Sequence, residues 1–185
     1  SNASCTTNCV APVAKVMVKE FGVVKAAMTT IHAYTSDQRL LDNSHKDLRR
    51  ARGAVTNIIP TSTGAADAVG AVVPELNGLF DGLAIRVPVV TGSLTDFTFL
   101  VNQPTTVEAV NQALINASKT YLKGVLGVTD KPLVSSDVIG CEYSALVDLE
   151  LTRVIDKDLV KVMAWYDNEW GYVTRLMELA HAAAG

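Results

Sequence analysis

Cys5 stands in the run Ser4, Cys5, Thr6, Thr7, Asn8, Cys9, at the head of a segment that reads as a helix from about Thr6 to Phe21. A thiol at a helix start faces free backbone N–H groups and the positive end of the helix dipole, which is the environment of a nucleophile. With an ordinary pKa near ~8.5 a cysteine is only a few per cent thiolate at neutral pH, so catalysis asks for a drop of roughly two to three units. At about 1.36 kcal/mol per unit this amounts to about 3 to 4 kcal/mol. A helix terminus supplies about 0.3 to 1 kcal/mol, at best about 2, so a second group must help. His32 is the candidate. It ends the strand-length run Val23 to Ile31, rich in apolar and β-branched residues, which follows a turn at Gly22. Spacing alone does not prove that the imidazole reaches the thiol, since an antiparallel return would leave the two a helix length apart, but the reach of a nucleophile and its base puts the sulfur about 3 to 4 Å from a ring nitrogen. Taken by themselves, the two residues fit equally well a small buried hydrophobe and a satisfied polar strand end.

Other residues are of types that hold anions. Thr61, Ser62, Thr63 and Gly64, followed by Ala65 and Ala66, read as a helix start with hydroxyl and backbone donors, which suits a phosphate as well as an ordinary cap. Arg86 interrupts the apolar run Leu83, Ala84, Ile85, Val87 just before Pro88, and a charge in such a strand needs a partner. Lys46, Arg49, Arg50 and Arg52 form a basic cluster that is either a solvated face or part of an anion site. Asp167 and Asn168 precede Glu169 as caps of a last helix, a role compatible with contact between Asn168 and a cofactor. Cys9, one helical turn from Cys5, reads as packed, and Cys141 as an unpaired structural thiol.

Periodicity and breakers give the elements that must position these groups. A long polar connection spans roughly Ala33 to Asn57 and contains the arginine cluster; connections of that length are usually functional. A small-residue helix over Gly64 to Val73 follows, then strands near Leu83 to Val90 and Ser93 to Val101 that could pair around the turn Thr91, Gly92. Thr105 to Glu108 has a capping-box pattern and opens a helix to about Leu122. Strands near Ser144 to Thr152 and Leu159 to Trp165 flank the turn at Asp156, Lys157, Asp158, and a terminal helix runs from about Glu169 to Ala183. The expected architecture is one domain over residues 1–185 of α/β (α+β) type, a mixed, mainly antiparallel sheet with helices packed on one face.

Composition bounds the function. The chain is 49% hydrophobic with mixed charges and a net charge of −3, which argues against a nucleic-acid surface. It has no apolar run near ~18 residues and so no expected membrane span. Three cysteines do not complete a disulfide framework and suit a reducing compartment, so the expected location is cytoplasmic. The chain begins at Ser1, directly before the proposed nucleophile, and lacks a dinucleotide-binding glycine fingerprint, from which a fragment is expected. Ser1, Asn2 and Ala3 also resemble an expression scar.

The strings SCTTNC, TTIHAYTSDQ, HKDLRRAR, NIIPTSTGAA, IRVP and WYDNEWGY occur in that order. Together, from Ser1 to about His181, they resemble the catalytic domain of the phosphorylating glyceraldehyde-3-phosphate dehydrogenases. The resemblance implies oxidation and phosphorylation of glyceraldehyde 3-phosphate, with NAD or NADP as hydride acceptor and inorganic phosphate as second substrate. Cys5 then matches the nucleophile and His32 its base. Thr35 and Arg86 match residues that hold the substrate phosphate, while Ser4, Arg50, Thr63 and Gly64 match those that hold the attacking inorganic phosphate. Asn168 matches the residue that orients the nicotinamide carboxamide, with Tyr172 beside it. The resemblance further implies a separate N-terminal dinucleotide-binding domain and a homotetramer formed through this domain. Asp67 departs from the lysine that many relatives carry after STGAA, and Asn43 and Ser44 depart from the Leu and Pro common in strictly NAD-dependent ones. Erythrose-4-phosphate dehydrogenase is the near alternative, although the TSDQ and STGAA patterns kept here at Thr35 and Thr63 usually change in it. A Cys-His hydrolase would need neither the two arginines nor the terminal motif, and a non-catalytic assembly module would need no reactive thiol.

Overall fold

In the computed structural model, which describes residue 2 and residues 4–185, one long helix lies across the inner face of a single sheet. Ser1 and Ala3 of the opening segment lie outside the described residues. Helix α1 spans Cys5–Phe21 and is started by Ser4, whose Oγ accepts from the Thr7 N–H at 2.9 Å. Its buried positions, among them Cys9, Val10, Val13, Ala14, Val16 and Met17, recur at three- and four-residue intervals and form the stripe that packs on the sheet. The helix ends at Gly22, whose φ of 63° turns the chain back into strand β1, Val23–Ala33.

That return corrects the view that an antiparallel path leaves the two a helix length apart, while the expected approach of the thiol to the imidazole is met. At ~1.5 Å per residue α1 is about 25 Å long, and at ~3.3 Å per residue the strand from Val23 to His32 covers about 30 Å. An antiparallel return over matched lengths carries the strand end back to the helix start, and His32 arrives beside Cys5.

The remaining elements are β2 (Ile59–Thr61), α2 (Ala65–Val72), β3 (Phe80–Val87), β4 (Ser93–Val101), α3 (Val107–Lys119), β5 (Leu126–Thr129), β6 (Ala145–Asp148), β7 (Arg153–Ile155), β8 (Leu159–Tyr166) and α4 (Trp170–Ala184). The sheet order is β2-β3-β1-β4-β8-β6-β5, with β7 also on β8. The β1–β3 and β5–β6 pairs are parallel and the others antiparallel, in keeping with the expected mixed, mainly antiparallel sheet. Strict alternation in β4 and β8 turns Phe97, Phe99, Val160, Val162 and Tyr166 inward, where α1 covers them.

Several boundaries differ from the sequence reading. β3 and β4 do not pair with each other, because β1 lies between them, parallel to one and antiparallel to the other. The connection through Gly92 passes across the end of β1, where the Tyr34 N–H donates to the Val89 carbonyl at 3.1 Å. Helix α3 is capped by Thr106, which accepts from the Ala109 N–H, and not by the Thr105 of the capping-box pattern. The single strand expected over Ser144 to Thr152 breaks at a tight helical turn, Leu149–Leu151, that separates β6 from β7. β5 was not anticipated; four residues are too few for alternation to register.

Candidate active site

The parallel register of β1 and β3 sets His32 opposite Arg86, and the start of α1 lies over that end of the sheet. Cys5 is the first residue of α1, and its Sγ lies 3.4 Å from His32 Nε2. The other ring nitrogen, Nδ1, is 2.6 Å from the Ala33 carbonyl oxygen, which can only accept, so Nδ1 carries the proton and Nε2 offers a lone pair to the thiol. The ring is 2% exposed. Behind the pair the buried phenol of Tyr166 bridges Thr6 of α1 at 3.0 Å and Thr30 of β1 at 2.8 Å, and its ring meets the imidazole edge-on. A hydroxyl tie between the two elements that carry the pair fixes their separation. These threonines and Tyr166 were not singled out from sequence; strand alternation places them inside, but only the fold brings their hydroxyls together.

Burial governs the charge states. It pushes the Cys5 thiol up despite hydrogen bonds from Thr6 and the nearby Arg86 charge, which act the other way. Burial, reinforced by Arg86, lowers the His32 pKa to about 4, and the Ala33 carbonyl opposes this only in part. Burial thus acts against the charged form of each partner, the thiolate as well as the imidazolium.

A cavity of about 440 Å³ opens in front of the pair, lined by Ser4, Cys5, His32, Arg50, Thr63 and Arg86 among others. Two guanidinium groups enter it from different elements. Arg86 Nη1 donates to the Ala33 carbonyl at 2.9 Å and to Thr35 Oγ1 at 3.2 Å, while its Nη2 makes no hydrogen bond among the described residues. Arg50 comes from the long connection and is held by three partners: Nε donates to Thr61 Oγ1 at 2.8 Å, Nη2 to the Ser62 carbonyl at 3.1 Å, and Nη1 to the Asp37 carboxylate. Each Arg50 terminal nitrogen keeps one N–H free for an anion. Asp37, Asp47 and Thr61, which anchor this guanidinium, were not read from the sequence as its partners.

Ser62, Thr63 and Gly64 border the cavity just before α2. The Thr63 Oγ1 accepts from the Ala65 N–H at 3.2 Å, leaving its own hydroxyl proton for a ligand. The Ser4 hydroxyl lies 2.6 Å from that of Thr7 as well as capping α1. Asp67 sits exposed in the first turn of α2, a position that favours an acidic side chain by the helix dipole.

Asn168 stands apart from this cavity. Its Oδ1 accepts from the Gly92 N–H at 3.1 Å and the Ser93 hydroxyl at 2.8 Å, and its Nδ2 has no partner among the described residues. Asp167, not Asn168, caps α4, accepting from the N–H groups of Glu169 and Trp170 at 2.9 Å each. Tyr172 is tied to the start of the chain: its hydroxyl donates to the Asn2 carbonyl at 3.4 Å, and its own carbonyl accepts from Asn2 Nδ2 at 3.2 Å. Cys9 is fully buried, and Cys141 is half-buried and unpaired.

Residues 4–168 match the family described as glyceraldehyde 3-phosphate dehydrogenase, C-terminal domain. The chain belongs to this family. It is 58% identical over 184 residues to glyceraldehyde-3-phosphate dehydrogenase 2 of Trichormus variabilis, which covers 100% of this chain and 55% of that protein. It is 57% identical over 179 residues to the glyceraldehyde-3-phosphate dehydrogenase of Mycobacterium tuberculosis, and 58% identical over the same length to that of Mycolicibacterium smegmatis; each match covers 97% of this chain and 52% of the relative. The chain thus spans about half the length of the curated relatives it matches. As a dehydrogenase C-terminal domain it also contains, among the described residues, no helix long and apolar enough to cross a membrane.

Proposed function

We propose that this domain performs the covalent part of a phosphorylating glyceraldehyde-3-phosphate dehydrogenase reaction. The observation that carries the reading is the meeting of Cys5, His32, Arg86 and Arg50 around one cavity. A thiol 3.4 Å from an imidazole lone pair is a nucleophile with its base, and two cationic forks from different elements suit two phosphate groups.

Cys5 Sγ adds to the aldehyde carbon while its proton passes to His32 Nε2 and on to the new hydroxyl, giving a hemithioacetal. Backbone N–H groups at the start of α1 and the histidine stabilise the developing oxyanion. Arg86 and Thr35 hold the distal phosphate, which keeps the aldehyde carbon at the sulfur. NAD or NADP supplies the acceptor for the hydride that leaves that carbon. The free Nδ2 of Asn168, its Oδ1 already committed, fits a carboxamide oxygen and would hold the nicotinamide end, with Tyr172 beside it. His32 takes the hydroxyl proton as the thioester forms. Inorganic phosphate held by Arg50, Ser4, Thr63 and Gly64 then attacks the thioester carbon, and the Cys5 sulfur leaves. The remainder of the dinucleotide falls to a separate N-terminal domain, so the 185 residues alone are expected to turn over negligibly.

The acyl-transfer half of this scheme needs no cofactor and tests the reading on the chain itself. Incubation with 1,3-bisphosphoglycerate should add a phosphoglyceroyl group to Cys5, detected as a mass increase on its peptide, and Cys5→Ser should abolish it. Acylation of Cys9 or Cys141 in place of Cys5, or none at all, would overturn the reading.

A further inference from the structure

One short turn carries a partner of each guanidinium group in the cavity. The Gln38 N–H donates to the Thr35 carbonyl at 2.9 Å and closes this turn just after β1. Thr35 Oγ1 accepts from Arg86 Nη1 at 3.2 Å, and two residues on, the Asp37 carboxylate accepts from Arg50 Nη1. Asp37 is also held from a second side. The His45 side chain is 8% exposed, and its Nδ1 accepts from the Asp47 N–H at 2.9 Å, which leaves the hydrogen of the neutral ring on Nε2, 3.6 Å from Asp37 Oδ1. A carboxylate is the wrong charge for an anion site. The hydrogen bond from Arg50 holds the Asp37 carboxyl below the ordinary range, so it is ionised at neutral pH, and its charge acts on Arg86 as well. For the plain attraction of phosphate it offsets part of the Arg50 charge. Arg50 does not need it for attachment, since Nε and Nη2 are already fixed on Thr61 and the Ser62 carbonyl. Those two contacts hold Arg50 to β2 and the residue after it; Asp37 adds a third point, on the turn that also carries Thr35.

We propose that Asp37 is a positioning residue for the phosphate-transfer step: it gives up phosphate affinity and in return holds Arg50 in register with Arg86, so that the incoming phosphate meets the acyl carbon on Cys5. The inference rests on the assignment of Arg50 to inorganic phosphate and of Arg86 to the substrate phosphate made above. In this step a phosphate oxygen bonds to the acyl carbon and the C–S bond breaks. The electron pair leaves with the Cys5 sulfur, and the hydrogen of the monohydrogen phosphate passes to the Cys5–His32 pair, with no other reactant. A contact that attracts phosphate equally before and during attack raises affinity alone, whereas one that fixes the direction of approach raises the rate. Asp37 opposes the first and serves the second.

The chain acylated on Cys5 by 1,3-bisphosphoglycerate tests this, with loss of the acyl mass followed against inorganic phosphate and the hydrolysis measured without phosphate subtracted. In this single transfer the half-saturating phosphate concentration reads binding and the plateau reads the step itself. Asp37→Ala should lower the plateau about tenfold or more, the scale of a misplaced reacting group. It should leave the half-saturating concentration unchanged or lower it by up to about fivefold, the scale of an exposed charge pair. Asp37→Asn removes the charge and keeps an acceptor for Arg50 Nη1, so it should bind phosphate as Asp37→Ala does and recover most of the plateau. A half-saturating concentration that rises in Asp37→Ala, or a plateau that stays at the parent's value, overturns the role of Asp37; the assignment of Arg50 then stands if Arg50→Ala loses saturation by phosphate. If Cys5 takes no acyl group, or Arg50→Ala responds to phosphate as the parent does, the reading of the site fails and the role of Asp37 with it.

Discussion

His32 is folded into a place that prefers it neutral, and this has a measurable effect on stability. Its pKa lies at about 4 in the folded chain against an ordinary 6.5, the first cause being burial and the second Arg86. Between those values the unfolded chain binds a proton that the folded one does not, so stability falls as pH is lowered through the window and is unaffected by this residue above it. The gap corresponds to roughly 3 kcal/mol. His32→Asn, which keeps a donor for the Ala33 carbonyl and does not titrate, should flatten the urea-unfolding profile between pH 6.5 and 4 relative to the parent. An unchanged slope would mean that other groups set the acid sensitivity. Of the site residues, those announced by unusual chemistry were legible: a thiol at a helix start, an arginine in an apolar strand, a hydroxyl-rich helix entry. The partners that hold them were not. Asp37, Asp47 and Tyr166 carry no local signal of their roles; a hydrogen bond such as that between Thr6 and Tyr166, 160 residues apart, leaves no local pattern.

At the scale of elements, the turn between β3 and β4 does more than reverse the chain. Gly92 adopts φ 89°, and a Cβ there would collide with the Ser135 backbone carbonyl. Its N–H also donates to Asn168 Oδ1, so the turn holds the side chain proposed to meet the nicotinamide. Gly92→Ala should cost about 1 to 3 kcal/mol through backbone strain and the clash, measured by urea unfolding. A change within about 0.5 kcal/mol, the range of a neutral surface substitution, would show that the turn relaxes freely. The long strands and helices were legible because α1, β4 and β8 carry unbroken periodicity. Strand neighbours were not. A glycine turn between two apolar runs signals a hairpin, yet β1 pairs with both and keeps them apart, a choice made by contacts distant in sequence. The meeting of Cys5 and His32 was expected from the reach a nucleophile and its base need, and not from spacing; comparing the lengths of α1 and β1 gives it geometrically.

For the whole molecule, the decisive asymmetry is that helices cover one face of the sheet and leave the other bare. Leu83 is exposed on that outer side, with Ile31, Leu94, Leu100 and Met163 half-buried in neighbouring strands. α4 carries a second apolar row, Trp170, Val173, Leu176 and Met177, at helical spacing on its exposed side. A sheet that meets water usually alternates apolar and polar residues, so aliphatic side chains on the outer face as well as the inner one call for a covering layer. We expect the sheet face to associate with a second copy of the chain, with the α4 row as a second candidate contact. Sedimentation should then give a concentration-dependent oligomer for the 185 residues. Leu83→Glu, which places a charge on the outer face without touching the helical layer, should shift it toward monomer while leaving the far-ultraviolet circular dichroism unchanged. A parent chain that stays monomeric at every accessible concentration, or a Leu83→Glu variant that associates as strongly as the parent, would remove the sheet face as the contact and leave the α4 row as the surface to test.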